Sequence, residues 1–127
     1  MNWTTAILVA GVLTVFYLLK RSGQISSKAA RAHLRNGALV VDVRTAGEFS
    51  SGHLPNAINF PLDEIESSLP RRVKNKNQVL LLHCQGGSRS GAARKKLNGL
   101  GYNSAFNLGS YRRAAEIVGS NQDSCAR

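Results

Sequence analysis

The chain has 127 residues, a length that suits one domain and a short appendage. Hydrophobic residues make up 43% of it and charged residues 19%, a composition that excludes an intrinsically disordered chain. The net charge of +10 suggests nucleic-acid binding, but the sequence has neither interleaved aromatic residues for base stacking nor a nucleic-acid motif, so its basic surface favours small anions or anionic headgroups.

The first predicted element is an uncharged, apolar helix over residues 4–19, TTAILVAGVLTVFYLL, with Trp3 before it and Lys20 and Arg21 after it. Such a helix reaches about 24 Å, against roughly 30 Å for the hydrocarbon core of a bilayer. A cleaved signal peptide would begin with basic residues, and a core helix would be amphipathic, so we favour an uncleaved membrane anchor over residues 3–20. Because the basic residues follow the helix, we expect a single-pass protein of the cell inner (cytoplasmic) membrane whose domain faces the cytoplasm.

Helices alternate with short apolar strands over the remaining residues, 22–127, which we interpret as one domain that ends in a short polar tail. Helices are predicted at residues 27–35, 45–48, 62–69, 90–100 and 112–118, and strands at residues 39–43, 57–60, 79–82 and 104–108. This alternation predicts an α/β fold with a parallel sheet that is covered by helices on both faces.

Residues 79–91, VLLLHCQGGSRSG, carry the strongest functional signal. Cys84 follows a buried strand at its carboxyl end, where ligands bind in open α/β sheets. Gly86 and Gly87 allow the backbone to curl around the sulfur with several N–H groups pointing inward. With Arg89 and a helix amino terminus beside it, this loop favours an anion such as the Cys84 thiolate, the nucleophilic form of cysteine. A buried, inert cysteine is the alternative interpretation, which the small and polar neighbours disfavour.

Two stretches together resemble the rhodanese family of sulfurtransferases. Residues 42–61, DVRTAGEFSSGHLPNAINFP, are similar to the amino-terminal signature of the family, and residues 84–90, CQGGSRS, are similar to its active-site loop. The resemblance covers roughly residues 25–118 and implies a single-domain, rhodanese-like open parallel sheet flanked by helices. It also implies two-step covalent catalysis, in which the Cys84 thiolate takes the outer sulfur of thiosulfate or of a persulfide donor and passes it to a thiophilic acceptor.

The resemblance also implies a role for each residue of the loop after Cys84. Inward N–H groups would hold the persulfide anion and the small anionic sulfur donor, and the residues concerned are Gln85, Gly86, Gly87, Ser88, Arg89 and Ser90. The Arg89 guanidinium would orient a sulfonate-like donor or stabilise the leaving sulfite. A thiol or a cyanide-like anion fits as the acceptor, and a protein persulfide is a further candidate partner. The chemistry requires that the sulfur can be reached from solvent.

Two other functions stay open. A membrane-tethered docking module would use the loop to bind a partner without turnover, but it has no need of an intact Cys84, Gly87 and Arg89 together. A cysteine phosphatase would have five residues between its cysteine and its arginine. This chain has four, which gives a smaller anion pocket suited to a sulfur atom.

Other polar residues of the two motifs are expected to have structural roles. The family resemblance suggests that Asp42, Arg44 and Glu48 fix loop geometry by ion pairing, and His53 is expected to be a structural hydrogen bonder. By strand alternation, His83 should point away from the side of the cysteine.

No cofactor is expected, and no metal site either, because His33, His53 and His83 show no ligand spacing with the cysteines. The second cysteine, Cys125, is expected in a mobile tail. It could resolve a Cys84 persulfide as a disulfide, but a tail residue without a role is the favoured interpretation. Two cysteines placed so differently point to a reducing compartment.

Overall fold

A computed structural model describes the backbone of residues 2–21 and 23–125 and the side chains of residues 2–18 and 23–122, so the predicted linker residue Ser22 lies outside the described residues. The helices, in chain order α1 to α6, are Trp3–Arg21, Ser27–Arg35, Ala46–Ser50, Ile65–Arg72, Ser88–Gly99 and Tyr111–Cys125. The strands, β1 to β4, are Leu39–Asp42, Ile58–Asn59, Leu80–His83 and Ala105–Gly109.

The strands form one parallel sheet in the order β2-β1-β3-β4, which confirms the predicted α/β fold. The two central strands, β1 and β3, are the most apolar segments of the domain, and Val41 lies opposite Leu82 in their register. All four residues of β3 are buried, as expected for a strand that is covered on both faces. The carboxyl ends of β1, β3 and β4 therefore meet at one edge of the sheet.

Helices cover both faces of this sheet. On one face, α4 and α5 pack through Ile65 and Leu97 against a core that includes Leu82 and Cys84. On the other face, α2 and α6 pack against a core that contains Leu81. The alternation along β3 therefore places Cys84 on the α5 face and His83 on the opposite face, as predicted.

Several helix boundaries differ from their predicted positions, and the largest differences are at both ends of α4, which continues to Arg72 instead of ending at residue 69, and at the end of α6. Helix α4 begins at Ile65 instead of residue 62, because Leu62 continues along the sheet and donates its N–H to the Val43 carbonyl, 3.1 Å away.

Helix α6 continues to Cys125, whereas the sequence predicts a polar tail from residue 119. Its second half lies against α2, where Arg31 donates to the Ser120 hydroxyl over 2.8 Å. The Cys125 side chain lies outside the described residues.

The apolar run near the amino terminus forms α1, whose described side chains are exposed, with Trp3 at 79% and Leu18 at 55%. Among the described residues, no helix combines the length and the apolarity that crossing a membrane requires. The predicted membrane anchor over residues 3–20 is therefore not supported. Its uncharged run of sixteen residues is shorter than the roughly 20 that a bilayer span needs.

Candidate active site

Cys84 is the first residue after β3 and lies four residues before α5. Its N–H donates to the Gly109 carbonyl over 3.3 Å, which continues the pairing of β3 with β4 by one residue. The next residue, Gln85, accepts a hydrogen bond from the N–H of Tyr111 over 3.2 Å. The loop after Cys84 is therefore fixed to the start of α6 as well as to its own helix.

Gly87 is the residue that closes this loop around the sulfur. Its φ of +96° lies in the left-handed region, it is the N-cap of α5, and its N–H donates to Cys84 Sγ over 2.9 Å. A residue with a Cβ is strained at that φ, which explains the glycine that the sequence provides here. Gln85, Gly86 and Ser88 are exposed on the outer side of the loop.

Ser90 lies below the sulfur in a fully buried position. Its hydroxyl oxygen is 3.5 Å from Cys84 Sγ, 2.7 Å from Asn107 Oδ1 and 3.0 Å from the Gly87 carbonyl. Asn107 Oδ1 also accepts from the N–H of Gly109 over 2.9 Å, which orients the amide. Asn107 was not among the predicted site residues. Its only sequence signal is a polar side chain in the middle of an apolar strand, at the carboxyl edge of the sheet.

The Cys84 sulfur is buried, and its surroundings favour the thiolate. Burial by itself raises the pKa of the thiol, but hydrogen bonds from the Ser90 hydroxyl and from backbone N–H groups of the loop outweigh it, so that the pKa lies below its ordinary value. The inward-facing N–H groups agree with the predicted loop. The predicted access of solvent to the sulfur does not agree with the structure, because the exposed fraction of Cys84 is 0%. A donor can reach the sulfur only if part of its cover moves.

Arg89 forms a bidentate ion pair with Glu48 of α3. Its Nη1 donates to Oε1 over 2.7 Å and its Nη2 to Oε2 over 3.1 Å, and both side chains are 35% exposed. The Arg89 hydrogen bonds above all, and then the backbone N–H of Thr45, lower the pKa of Glu48 to about 2. The pKa of Arg89 is raised, chiefly by Glu48 and also by the negative charge of Cys84. The arginine predicted to bind a donor is therefore held by a carboxylate beside the sulfur.

The predicted structural role of the other ion pair agrees with its geometry. Arg44 donates from Nε and Nη2 to the Asp42 carboxylate over 2.8–3.1 Å and from Nη2 to the Gly52 carbonyl over 2.7 Å. This pair is buried on the opposite face of the sheet from Cys84, with the Arg44 guanidinium 4.8 Å from the centre of the Tyr111 ring. Its hydrogen bonds connect the end of β1 to the loop after α3.

His83 is buried beside that pair. Its Nε2 is 3.9 Å from Asp42 Oδ2 and has no hydrogen-bond partner among the described residues. Burial lowers the pKa of His83, although the negative charge of Asp42 opposes the shift.

The Phe49 ring and the His53 imidazole, both within residues 42–61, stack on each other near the surface. His53 contacts the Phe49 carbonyl through Nδ1 over 2.9 Å and stacks on the Phe49 ring at 3.8 Å, so His53 has the structural role that the sequence predicts.

A cleft of about 610 Å³ lies on the outer side of the loop. Gly86, Gly87 and Ser88 form one wall, and Arg94 and Lys95 of α5 supply its positive charge. Cys84 does not line this cleft, but Asn107, which contacts the Ser90 hydroxyl, does.

The amino-acid sequence matches a family of known domains. The family model described as "Rhodanese-like domain" matches residues 26–114. Thiosulfate sulfurtransferase PspE of Escherichia coli is 32% identical over 75 residues, which are 59% of this chain and 72% of PspE. The tRNA uridine(34) hydroxylases of E. coli are 29% identical over 75 residues, but the match covers only 21% of their length.

Solved structures show the same likeness. The human single-domain sulfurtransferase TSTD1 is 30% identical with a TM-score of 0.63, covering 74% of this chain and 96% of TSTD1. A rhodanese with anions from E. coli is 30% identical with a TM-score of 0.58, covering 61% of this chain and 91% of that protein.

Proposed function

The chain belongs to the family of rhodanese-like domains, and from this premise we propose that it is a sulfurtransferase in which Cys84 carries the transferred sulfur. The observation that carries this proposal is the position of the Cys84 sulfur. It lies at the carboxyl end of a central strand, accepts the Gly87 N–H over 2.9 Å and is 3.5 Å from the Ser90 hydroxyl. These groups stabilise negative charge on the sulfur and on a second sulfur attached to it.

In the first step, the Cys84 thiolate attacks the outer sulfur of a donor. With thiosulfate, an S–S bond forms between Cys84 and that sulfur, the sulfur–sulfur bond of thiosulfate breaks, and its electron pair leaves with sulfite. The products are a Cys84 persulfide anion and sulfite, and no proton or external electron is required. The N–H groups of the loop and the dipole of α5 stabilise the persulfide charge at the sulfur.

In the second step, a thiophilic acceptor takes the outer sulfur. A thiolate or cyanide attacks it, the persulfide S–S bond breaks, and the electron pair returns to Cys84 as the thiolate. A thiol acceptor becomes a persulfide and cyanide becomes thiocyanate. This two-step exchange predicts ping-pong kinetics. A small anionic donor, a thiol or cyanide-like acceptor, and a protein persulfide all fit these requirements.

The names of the relatives support the reaction class. PspE is named a thiosulfate sulfurtransferase and TSTD1 a single-domain sulfurtransferase, and each is at least 30% identical to this chain. Because one rhodanese structure of the same fold is described as containing anions, an anionic donor also agrees with the comparisons.

Incubation of the full chain with thiosulfate tests the proposal. We expect the intact mass to increase by one sulfur atom, with the added atom on the peptide that contains Cys84, and cyanide to remove it as thiocyanate. Cys84→Ser is expected to abolish the gain and Cys125→Ser to leave it unchanged. A wild-type chain that gains no sulfur from thiosulfate or from a small-molecule persulfide would contradict the proposal.

The predicted position at the cytoplasmic membrane stays a prediction. Immunoblotting of membrane and soluble cell fractions tests it directly.

A further inference from the structure

We propose that Glu48 determines whether the site prefers an anionic or a neutral reactant. The Glu48 carboxylate already binds the Arg89 guanidinium, and an anionic sulfur donor must replace it there. The inference rests on the proposed sulfurtransferase function and adds a specificity-determining residue to it. Glu48 is a positioning residue in this scheme, since it acts through Arg89 and not on the transferred sulfur.

Both terminal N–H groups of Arg89 already have an acceptor. Both terminal nitrogens of Arg89 donate to Glu48, over 2.7 and 3.1 Å, in the geometry that an oxyanion of the donor would require. Glu48 and an anionic donor therefore compete for the same fork of N–H groups. As long as Glu48 binds Arg89, the ion pair as a whole presents no net charge to an incoming anion.

Glu48 is also held in place by Thr45. Thr45 donates its N–H to Glu48 Oε1 over 3.3 Å, and the Glu48 N–H donates to the Thr45 hydroxyl over 3.2 Å. This capping box gives the carboxylate hydrogen-bond partners that it keeps when an anion replaces it on Arg89. Because the pKa of Glu48 is about 2, Glu48 is ionised throughout the physiological pH range. Within that range a competing anion, and not protonation of Glu48, separates Glu48 from Arg89.

The ion pair between Arg89 and Glu48 can open. Both side chains are 35% exposed, and exposed ion pairs contribute little to stability because water competes for them. The exposed fraction of Cys84 is 0%, so a donor reaches the sulfur only when its surroundings move. Arg89 is in the first turn of α5, directly after the loop that contains Cys84, and the negative charge of Cys84 raises its pKa. Exchange of Glu48 for a donor oxyanion therefore brings the donor to the loop that surrounds the nucleophile.

Two alkylating reagents of similar size and different charge test this inference without any sulfur transfer. Cys84 in the full chain is treated with iodoacetate, which is anionic, and with iodoacetamide, which is neutral, and the modified Cys84 peptide is quantified by mass. The ratio of the two rates is the decisive quantity, because the thiolate fraction and the opening of the loop affect both reagents equally. Reaction at Cys125 is measured on a separate peptide.

Glu48→Gln is the matched substitution, since glutamine also completes a capping box and removes only the charge. We expect the iodoacetate-to-iodoacetamide ratio to increase by about threefold to tenfold. The control is Glu66→Gln on α4, which makes the same charge change at a carboxylate that pairs with Lys96 over 3.3 Å. Its ratio is expected to stay at the wild-type value. Glu48→Ala serves as the second variant, should the glutamine variant fail to fold.

Equal ratios in the wild type, in Glu48→Gln and in Glu66→Gln would overturn the inference. A parallel measurement of sulfur loading separates this outcome from failure of the proposed function. We expect Glu48→Gln to lower the KM for thiosulfate with the final amount of loaded sulfur unchanged. If the wild type loads no sulfur, the sulfurtransferase proposal fails, while the alkylation ratio still decides whether Glu48 sets the charge preference.

Discussion

Two arginine–carboxylate pairs lie at the same edge of the sheet, and their surroundings differ sharply. Asp42 and Arg44 form a bidentate pair with side chains that are 0% and 7% exposed. Glu48 and Arg89 form a bidentate pair of similar length with both side chains 35% exposed. The first pair lies on the face opposite Cys84 and connects β1 to the following loop, whereas the second lies beside the loop that contains the sulfur.

This difference in burial indicates different roles. A buried charge that loses its partner has no water to replace it, so the Asp42–Arg44 pair is fixed and supports the fold. A half-exposed pair exchanges its partner for water or for another anion at little cost, so the Glu48–Arg89 pair can take part in binding. A carboxylate–arginine pair is therefore part of the fixed structure in one place and, in our proposal, takes part in donor recognition in the other.

The largest expected effect is on the buried pair. Asp42→Asn leaves the Arg44 guanidinium buried without its counter-charge, and we expect the free energy of unfolding to fall by about 3–5 kcal/mol. Urea unfolding followed by circular dichroism measures it. The control is Asp63→Asn, an exposed aspartate for which we expect a change within about 0.5 kcal/mol. Similar losses in both variants would show that burial does not separate the two kinds of pair.

The next effect is a pH dependence of stability near neutral pH, which comes from the buried side. His83 faces Asp42, Arg44 and the Tyr111 ring, and burial above all lowers its pKa in the folded state. As the pH falls below the ordinary histidine value of 6.5, the unfolded chain binds a proton that the folded chain does not. Stability is therefore complete above that pH and decreases below it, by at most about 1.4 kcal/mol per pH unit from this group.

Urea unfolding between pH 7.5 and pH 5 tests the contribution of His83. We expect the free energy of unfolding of His83→Gln to change less with pH across this range than that of the wild type. Parallel profiles for the two proteins would contradict a buried, neutral histidine.

The smallest expected effect is on the exposed pair. Glu48→Gln keeps the capping box and removes an ion pair that solvent already screens, so we expect a much smaller shift of the urea midpoint than for Asp42→Asn. Because the folded pKa of Glu48 is lowered from 4.5 to about 2, the stabilisation by this pair is present above pH 4.5 and is lost as the pH falls towards 2. A midpoint shift as large as that of Asp42→Asn would place Glu48 among the structural residues.

The sequence predicts most of the fold because the signals involved are local. Apolar runs of four or five residues identify the central strands, and the capping box at Thr45 and Glu48 is found where the sequence predicts it. Boundaries fail where tertiary contacts decide them, as at Leu62, which bonds to Val43 instead of starting a helix. The anchor prediction used the apolarity of residues 4–19 and the residues that flank them, but no described helix is both long and apolar enough to cross a membrane.

The sequence also identifies Cys84 and its loop, since glycines, serine and arginine next to a strand end are adjacent in the chain. It could not predict that Asn107 orients Ser90 below the sulfur, because these residues come from different elements and meet only when β4 pairs with β3. Nor could it predict that Arg89 binds Glu48, 41 residues away.

By itself, then, the sequence determined the order of elements, the cysteine at the carboxyl end of β3 and the glycine that allows the left-handed turn at residue 87, because each depends on neighbouring residues. Only the tertiary structure decided which carboxylate pairs with which arginine, how deeply each pair is buried and whether the sulfur is covered. Those properties depend on packing between distant segments, and burial sets whether an ion pair is rigid or exchangeable.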